Sequence, residues 1–120
     1  MIEGLGHVRL EVTDLARSIA FYRDALRFEL DHEEPQDDPP LAFLRAGDLT
    51  LVLAERRTAG RRRRDNGVLL SIEVTAVDAY HDALVARGVA PSAPIDGPVV
   101  RQFSVRDPDG YEWRFLESMS

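Results

Sequence analysis

"LLSIEVTAV", residues 69–77, repeats "HVRLEVTDL", residues 7–15, without a gap at an offset of 62 positions. In both, apolar and polar residues alternate with period two, the pattern of a strand with one face buried. Both reach a threonine, Thr13 or Thr75, whose hydroxyl suits a helix N-cap. Beyond the first copy, Leu15, Ile19, Tyr22 and Leu26 recur at helical spacing. Beyond the second, Val77, Tyr80 and Leu84 do the same, and Gly88 is a good C-terminal stop. The offset also relates the ends of the halves. "LAFLRAGDLTLVLAE" (41–55) and "FSVRDPDGYEWRFLE" (103–117) each hold a turn and then a strand, with Asp48 falling on Gly110 and Val52 on Arg114. Each half therefore reads as strand, helix and three strands, the middle ones short. The expected organisation is one domain, 1–120, made of module one (1–55), an Arg-rich linker (56–66) and module two (67–120).

Bulk properties narrow the function classes. A chain of 120 residues holds one domain with a real core. No apolar run approaches the length of a membrane span, and the opening "MIEGLGHVRLEV" lacks the basic and apolar blocks of a signal peptide. Cysteine is absent, which removes disulfides, zinc-thiolate sites and a cysteine nucleophile. A cytoplasmic protein without membrane partners fits these features. The net charge of −6 argues against a nucleic-acid binder. That charge is uneven: "ELDHEEPQDD" (29–38) holds six acids and "ERRTAGRRRR" (55–64) six arginines. The arginine run reads as a solvated connector, with a phosphate- or partner-binding patch as the alternative. All basic residues are Arg, to which no mechanism is attached.

The paired βαβββ halves, "GHVRLEVTDLARSIAFYRDAL" at the front and "DPDGYEWRFLE" at the back, resemble the vicinal oxygen chelate superfamily, the glyoxalase, bleomycin-resistance and extradiol-dioxygenase group. The likeness covers nearly the whole chain. It departs at Arg27, where the family usually has glycine. The resemblance implies an α+β fold in which two tandem modules form a cup-shaped mixed sheet with the ligand cavity inside it. Strand alternation then divides the side chains. Val8, Leu10, Val12, Leu49, Leu51, Leu53, Leu70, Ile72, Val74, Trp113 and Phe115 are expected beneath the helices. The opposite face carries His7, Arg9, Glu11, Thr50, Val52, Ala54, Leu69, Ser71, Glu73, Glu112, Arg114 and Leu116. Mixed charged and apolar groups on a concave sheet suit a small polar ligand. Phe43, Phe103 and Tyr111 are candidates for the cavity rim.

Metal enzymes of this family draw His or Glu ligands from the first and last strand of each half. Carried onto this sequence, the four positions are His7, Val52, Leu69 and Arg114, of which only His7 is a donor. Glu11 and Glu73 stand about 13 Å further along their strands, too far to rebuild one shell. His32 and His81 fall in an acidic connector and on a helix, where surface roles are expected. No cofactor and no divalent metal are therefore expected. Without a metal, Arg114 could grip a carboxylate or enolate and His7 act as a general base. The alternative is that Arg114 pairs with Glu11 or Glu73 and shapes the wall.

The function these residues suggest is a metal-independent small-molecule-binding protein, similar to the family's drug-sequestering members. The acidic Glu11, Glu73 and Glu112 and the segment 29–38 would suit a cationic ligand. One alternative is a glyoxalase-like lyase or isomerase using His7 and Arg114 or a metal. A second is a non-catalytic regulatory module. A homodimer is expected under each, because short modules expose sheet edges and apolar rims.

Overall fold

A computed structural model describes residues 1–56 and 67–118. The chain divides into two compact units, Met1–Arg61 and Arg62–Ser120. The Arg-rich linker expected over 56–66 lies, apart from Arg56, outside the described residues.

In the first unit, β1 (Val8–Val12) leads to α1 (Leu15–Ala20), which runs on into a π-helical turn, Phe21–Ala25. The strands β2 (Glu29–Glu34), β3 (Leu41–Ala46) and β4 (Leu49–Glu55) follow. They form one mixed sheet in the order β1-β4-β3-β2, with β1 parallel to β4 and the other pairs antiparallel. The second unit repeats this plan. It contains β5 (Leu69–Glu73), α2 (Val77–Ala86), β6 (Ile95–Asp96), β7 (Val100–Arg106) and β8 (Glu112–Ser118), in the order β5-β8-β7-β6. The two tandem βαβββ modules and the α+β class are as the sequence indicates. Only β6 is short among the middle strands, however. β2 and β3 have six residues each and β7 has seven.

The helices bury the stripes that their spacing marks. Leu15, Ile19, Tyr22 and Leu26 are buried, as are Val77 and Leu84. Tyr80 is half-buried against Phe103 and Phe115, and that burial pushes its hydroxyl up to about 12, so the ring stays neutral. Helix starts fall one residue later than the threonines suggest. Asp14 caps α1 through the Arg17 N–H, and Ala76 begins α2 with no side-chain cap. What both helices share is a distant glutamate. The Leu15 N–H donates to Glu55 Oε2 at 2.8 Å, and the Val77 N–H donates to Glu117 Oε1 at 2.9 Å. Each carboxylate lies at or next to the end of the last strand of its unit and ties that strand to the positive end of the helix.

Two positions explain departures and matches in the motifs. Arg27 has φ 67°, the left-handed conformation that ends α1's extension, with the Phe28 N–H donating to the Tyr22 carbonyl. Glycine adopts this conformation freely and arginine does so at a cost. In the DPDG loop the buried Asp107 accepts from the Asp109 and Tyr111 N–H groups at 2.9 and 2.8 Å, and Gly110 sits at φ 89°. The motif is thus a side-chain-capped loop in which a carboxylate replaces two missing backbone acceptors.

Candidate functional site

β8 supplies the centre of the site. Trp113 and Phe115 turn to the helix side and are 0% and 1% exposed, so Glu112, Arg114 and Leu116 take the other face. The register sets their neighbours: Arg114 lies between Ser71 of β5 and Ser104 of β7. Glu112 lies beside Leu69 and Arg106, and Leu116 beside Glu73 and Gln102. Ile95 of β6 pairs with Gln102.

Along this face an open cavity of about 140 Å³ is lined by Ser92, Ile95, Gln102, Phe103, Ser104 and Arg114. It is small beside the roughly 300–1,000 Å³ of drug-sized sites, and has room for a ligand's head group. Its wall is fixed by Ser92, which is bound to the edge of β7. The Ser92 N–H donates to the Ser104 carbonyl at 2.9 Å, and the Ser104 N–H donates to Ser92 Oγ at 2.8 Å. The two hydroxyls are 3.3 Å apart.

Among the described residues the Arg114 side chain has one partner, Glu112, whose Oε2 is 3.4 Å from Nε, and it is 41% exposed. Arg106 reaches the other Glu112 oxygen at 3.4 Å. One carboxylate is thus shared by two guanidinium groups over long contacts. The two terminal nitrogens of Arg114 meet no acceptor among the described residues. The pairing with Glu73 suggested by the sequence is not formed among the described residues: Arg114 turns to Glu112, two residues away on its own strand. Within the first unit Glu11 is held by Arg56 at 2.6 Å.

The other sequence candidates divide between the units. In the first, Arg9, Val52, Phe43 and His32 form one cross-strand row. Phe43 stacks on His32 with ring centroids 4.3 Å apart, and Val52 is only 4% exposed. Thr50 is half-buried and Ala54 buried, so this face of β4 is more closed than a wet cavity wall. His7 precedes β1 and is exposed. In the second unit Leu69 is 44% exposed, with Ser71 and Glu73 also exposed. Phe103 borders the cavity, but its ring is 2% exposed and packs on Phe115, Tyr80 and His81. Phe103 thus lines the cavity, as the sequence suggests, from within the core, where the register places it opposite Phe115; Tyr111 is buried and is not among the lining residues. Sequence reading missed Ser92, Ile95, Gln102 and Ser104. The alternation in "VRQFSVR" could have found two of them, since a buried Phe103 sends Gln102 and Ser104 to the opposite face.

The residues present do not fit the divalent ion that the family's enzymes use. Of the four strand positions, Val52 and Leu69 have no donor atom and Arg114 is a permanent cation. No group of three His, Cys, Asp or Glu able to hold a metal occurs among the described residues. No helix among them is long and apolar enough to cross a membrane.

Comparison with known proteins agrees with this architecture. A lactoylglutathione lyase of Haemophilus influenzae is 32% identical over 124 aligned positions, spanning 95% of this chain and 92% of that protein. A glyoxylase/bleomycin resistance protein/dioxygenase domain from Frankia sp. EAN1pec has a TM-score of 0.84 at 22% identity, over 100% of this chain and 95% of that one. TnmS3, an antibiotic binding protein from Streptomyces sp. CB03234, has a TM-score of 0.79 at 23% identity, over 98% and 99%. Both structures share the fold. The model of the Glyoxalase/Bleomycin resistance protein/Dioxygenase superfamily matches residues 4–115, and the chain belongs to that superfamily.

Proposed function

We propose that this chain is a metal-independent small-molecule-binding protein that holds its ligand without transforming it, in the manner of drug-sequestering members of its superfamily. The observation that carries the reading is the replacement of donors: Val52, Leu69 and Arg114 stand where a metal enzyme of the family would place ligands. A lone histidine cannot hold a divalent ion against water. The metal's role as an electrophile for vicinal oxygens is then unfilled. The cavity along β8 supports binding, because it joins an arginine fork and three uncharged polar side chains to the apolar Ile95. The likeness to TnmS3 is compatible with this reading.

A second reading is favoured by the 32% identity to a lactoylglutathione lyase. In it Arg114 would hold an enolate and His7 would move the proton. These two residues belong to different units, and His7 has no orienting partner among the described residues. Homodimer formation is part of the proposal, supported by exposed Met1, Ile2 and Leu5 in one unit and Ile95 and Val99 in the other.

Elemental analysis and native mass spectrometry of protein purified without added metal test the proposal, together with an assay for lactoylglutathione formation. The expected result is a dimer without a stoichiometric ion and without turnover. One ion per chain, or turnover abolished by His7→Ala, would overturn it.

A further inference from the structure

We infer that the cavity along β8 is an oxyanion site, and that the ligand is a small organic carboxylate or phosphonate whose apolar part lies against Ile95. The inference rests on the binding reading above and supplies the ligand's charge, which it reverses from the cationic ligand that the acidic sequence suggests.

The lining carries the argument. Its polar groups are the Ser92 and Ser104 hydroxyls, the Gln102 amide and the Arg114 guanidinium, and no carboxylate is among them. Hydroxyls and an amide donate to an anion as readily as they accept from a cation. Arg114 decides between the two, since a guanidinium only donates and stays charged. Its terminal nitrogens form the parallel pair that matches two oxygens of one anion, and they meet no acceptor among the described residues. Ser104 is its direct cross-strand neighbour, so a head group on the fork is also within reach of that hydroxyl.

The surrounding acids do not reverse the sign. Glu112 is shared between Arg114 and Arg106. Glu73 is exposed and lies diagonal to Arg114, beside Leu116, where water screens it. The 3.4 Å contact from Glu112 to Nε is at the limit of a hydrogen bond, so little is lost if Arg114 turns toward a ligand. Glu112 is therefore a competitor for the fork. Arg114 is unlike Arg101, which is committed on both sides: it donates to Asp78 and Asp96 at 2.9–3.2 Å, and those carboxylates raise its pKa.

The test is titration of the full chain with benzoate, phenylphosphonate and benzylamine, followed by NMR at the Arg114 side chain and the Ser104 amide. Benzoate, phenylphosphonate or both should saturate these signals, and a response to one alone identifies the head group. Benzylamine should leave them unchanged. Arg114→Gln should weaken anion binding at least about tenfold, and Arg114→Lys, which keeps the charge and loses the fork, by less. Glu112→Gln should tighten it about threefold by removing the competitor, an effect that a purely structural Arg114–Glu112 pair would not give. Anion binding that survives Arg114→Gln unchanged, or weakens in Glu112→Gln, overturns the inference. Saturation by benzylamine instead overturns the anion assignment and leaves the binding reading standing. No response to any probe overturns the anion site, while a small molecule retained in native mass spectrometry would show that the binding reading survives it.

Discussion

β4 and β8 are one strand written twice, and they differ on the face away from the helix. Each is the last strand of its unit, each pairs in parallel with the first strand, and each carries near its end a glutamate that holds the helix N-terminus. On the face away from the helix, β4 presents Val52 and Ala54, both buried, while β8 presents Glu112 and Arg114, both half-exposed. The same scaffold closes one copy with apolar side chains and leaves the other wet and charged. The framework residues repeat because each unit must anchor its own helix. The face residues are free to diverge because no backbone hydrogen bond depends on them.

Exchanging the residues gives the largest expected effect. Val52→Arg places a cation at a position 4% exposed and should cost about 3–5 kcal/mol in urea unfolding. Arg114→Val should change stability by less than about 1 kcal/mol, because the contact it loses is long and open to solvent. Equal costs would mean that the two faces are not different in kind.

The turns give the next contrast. In the first unit Gly47, at φ 57°, starts a two-residue turn between β3 and β4, whereas the second unit needs the five residues Asp107–Tyr111. Asp107→Ala should cost about 2–3 kcal/mol by leaving two N–H groups without their acceptor. Asp48→Ala, at an exposed position, should stay within about 0.5 kcal/mol. Thermal unfolding followed by circular dichroism measures both.

The helix anchors separate the units more finely. Glu117→Ala should cost about 2 kcal/mol and Glu55→Ala about 1 kcal/mol, because α1 keeps Asp14 as a second cap and α2 has no side-chain cap to fall back on. The smallest effect is expected at Arg27, which has left-handed φ where α2 ends in Gly88. Arg27→Gly should stabilise the protein by up to about 1 kcal/mol, read as a raised Tm.

Much of this was legible in the residues. The offset repeat marks both modules, and period-two alternation sorts Trp113 and Phe115 from Arg114. Arg27 is visible as the odd residue at a glycine position, and its φ supplies the reason. Sequence reading failed where a partner is remote in the chain. The Glu55 and Glu117 contacts to helix N–H groups each span 40 residues, although the offset aligns the two glutamates. Thr13 and Thr75 are plausible caps, but the N-cap positions fall one residue later, at Asp14 and Ala76. Ser92 was not visible at all: it lies outside any regular element, and only its bonds to Ser104 bring it to the cavity. Nor can composition show that Glu11 and Glu112 already face arginines.

The central claim is that binding here proceeds without a metal, and the most direct measurement is benzoate or phenylphosphonate affinity before and after exhaustive chelation, with the ion content determined at each stage. The account predicts no stoichiometric ion at either stage and the same affinity in both. A tightly held ion whose removal abolishes binding would contradict it.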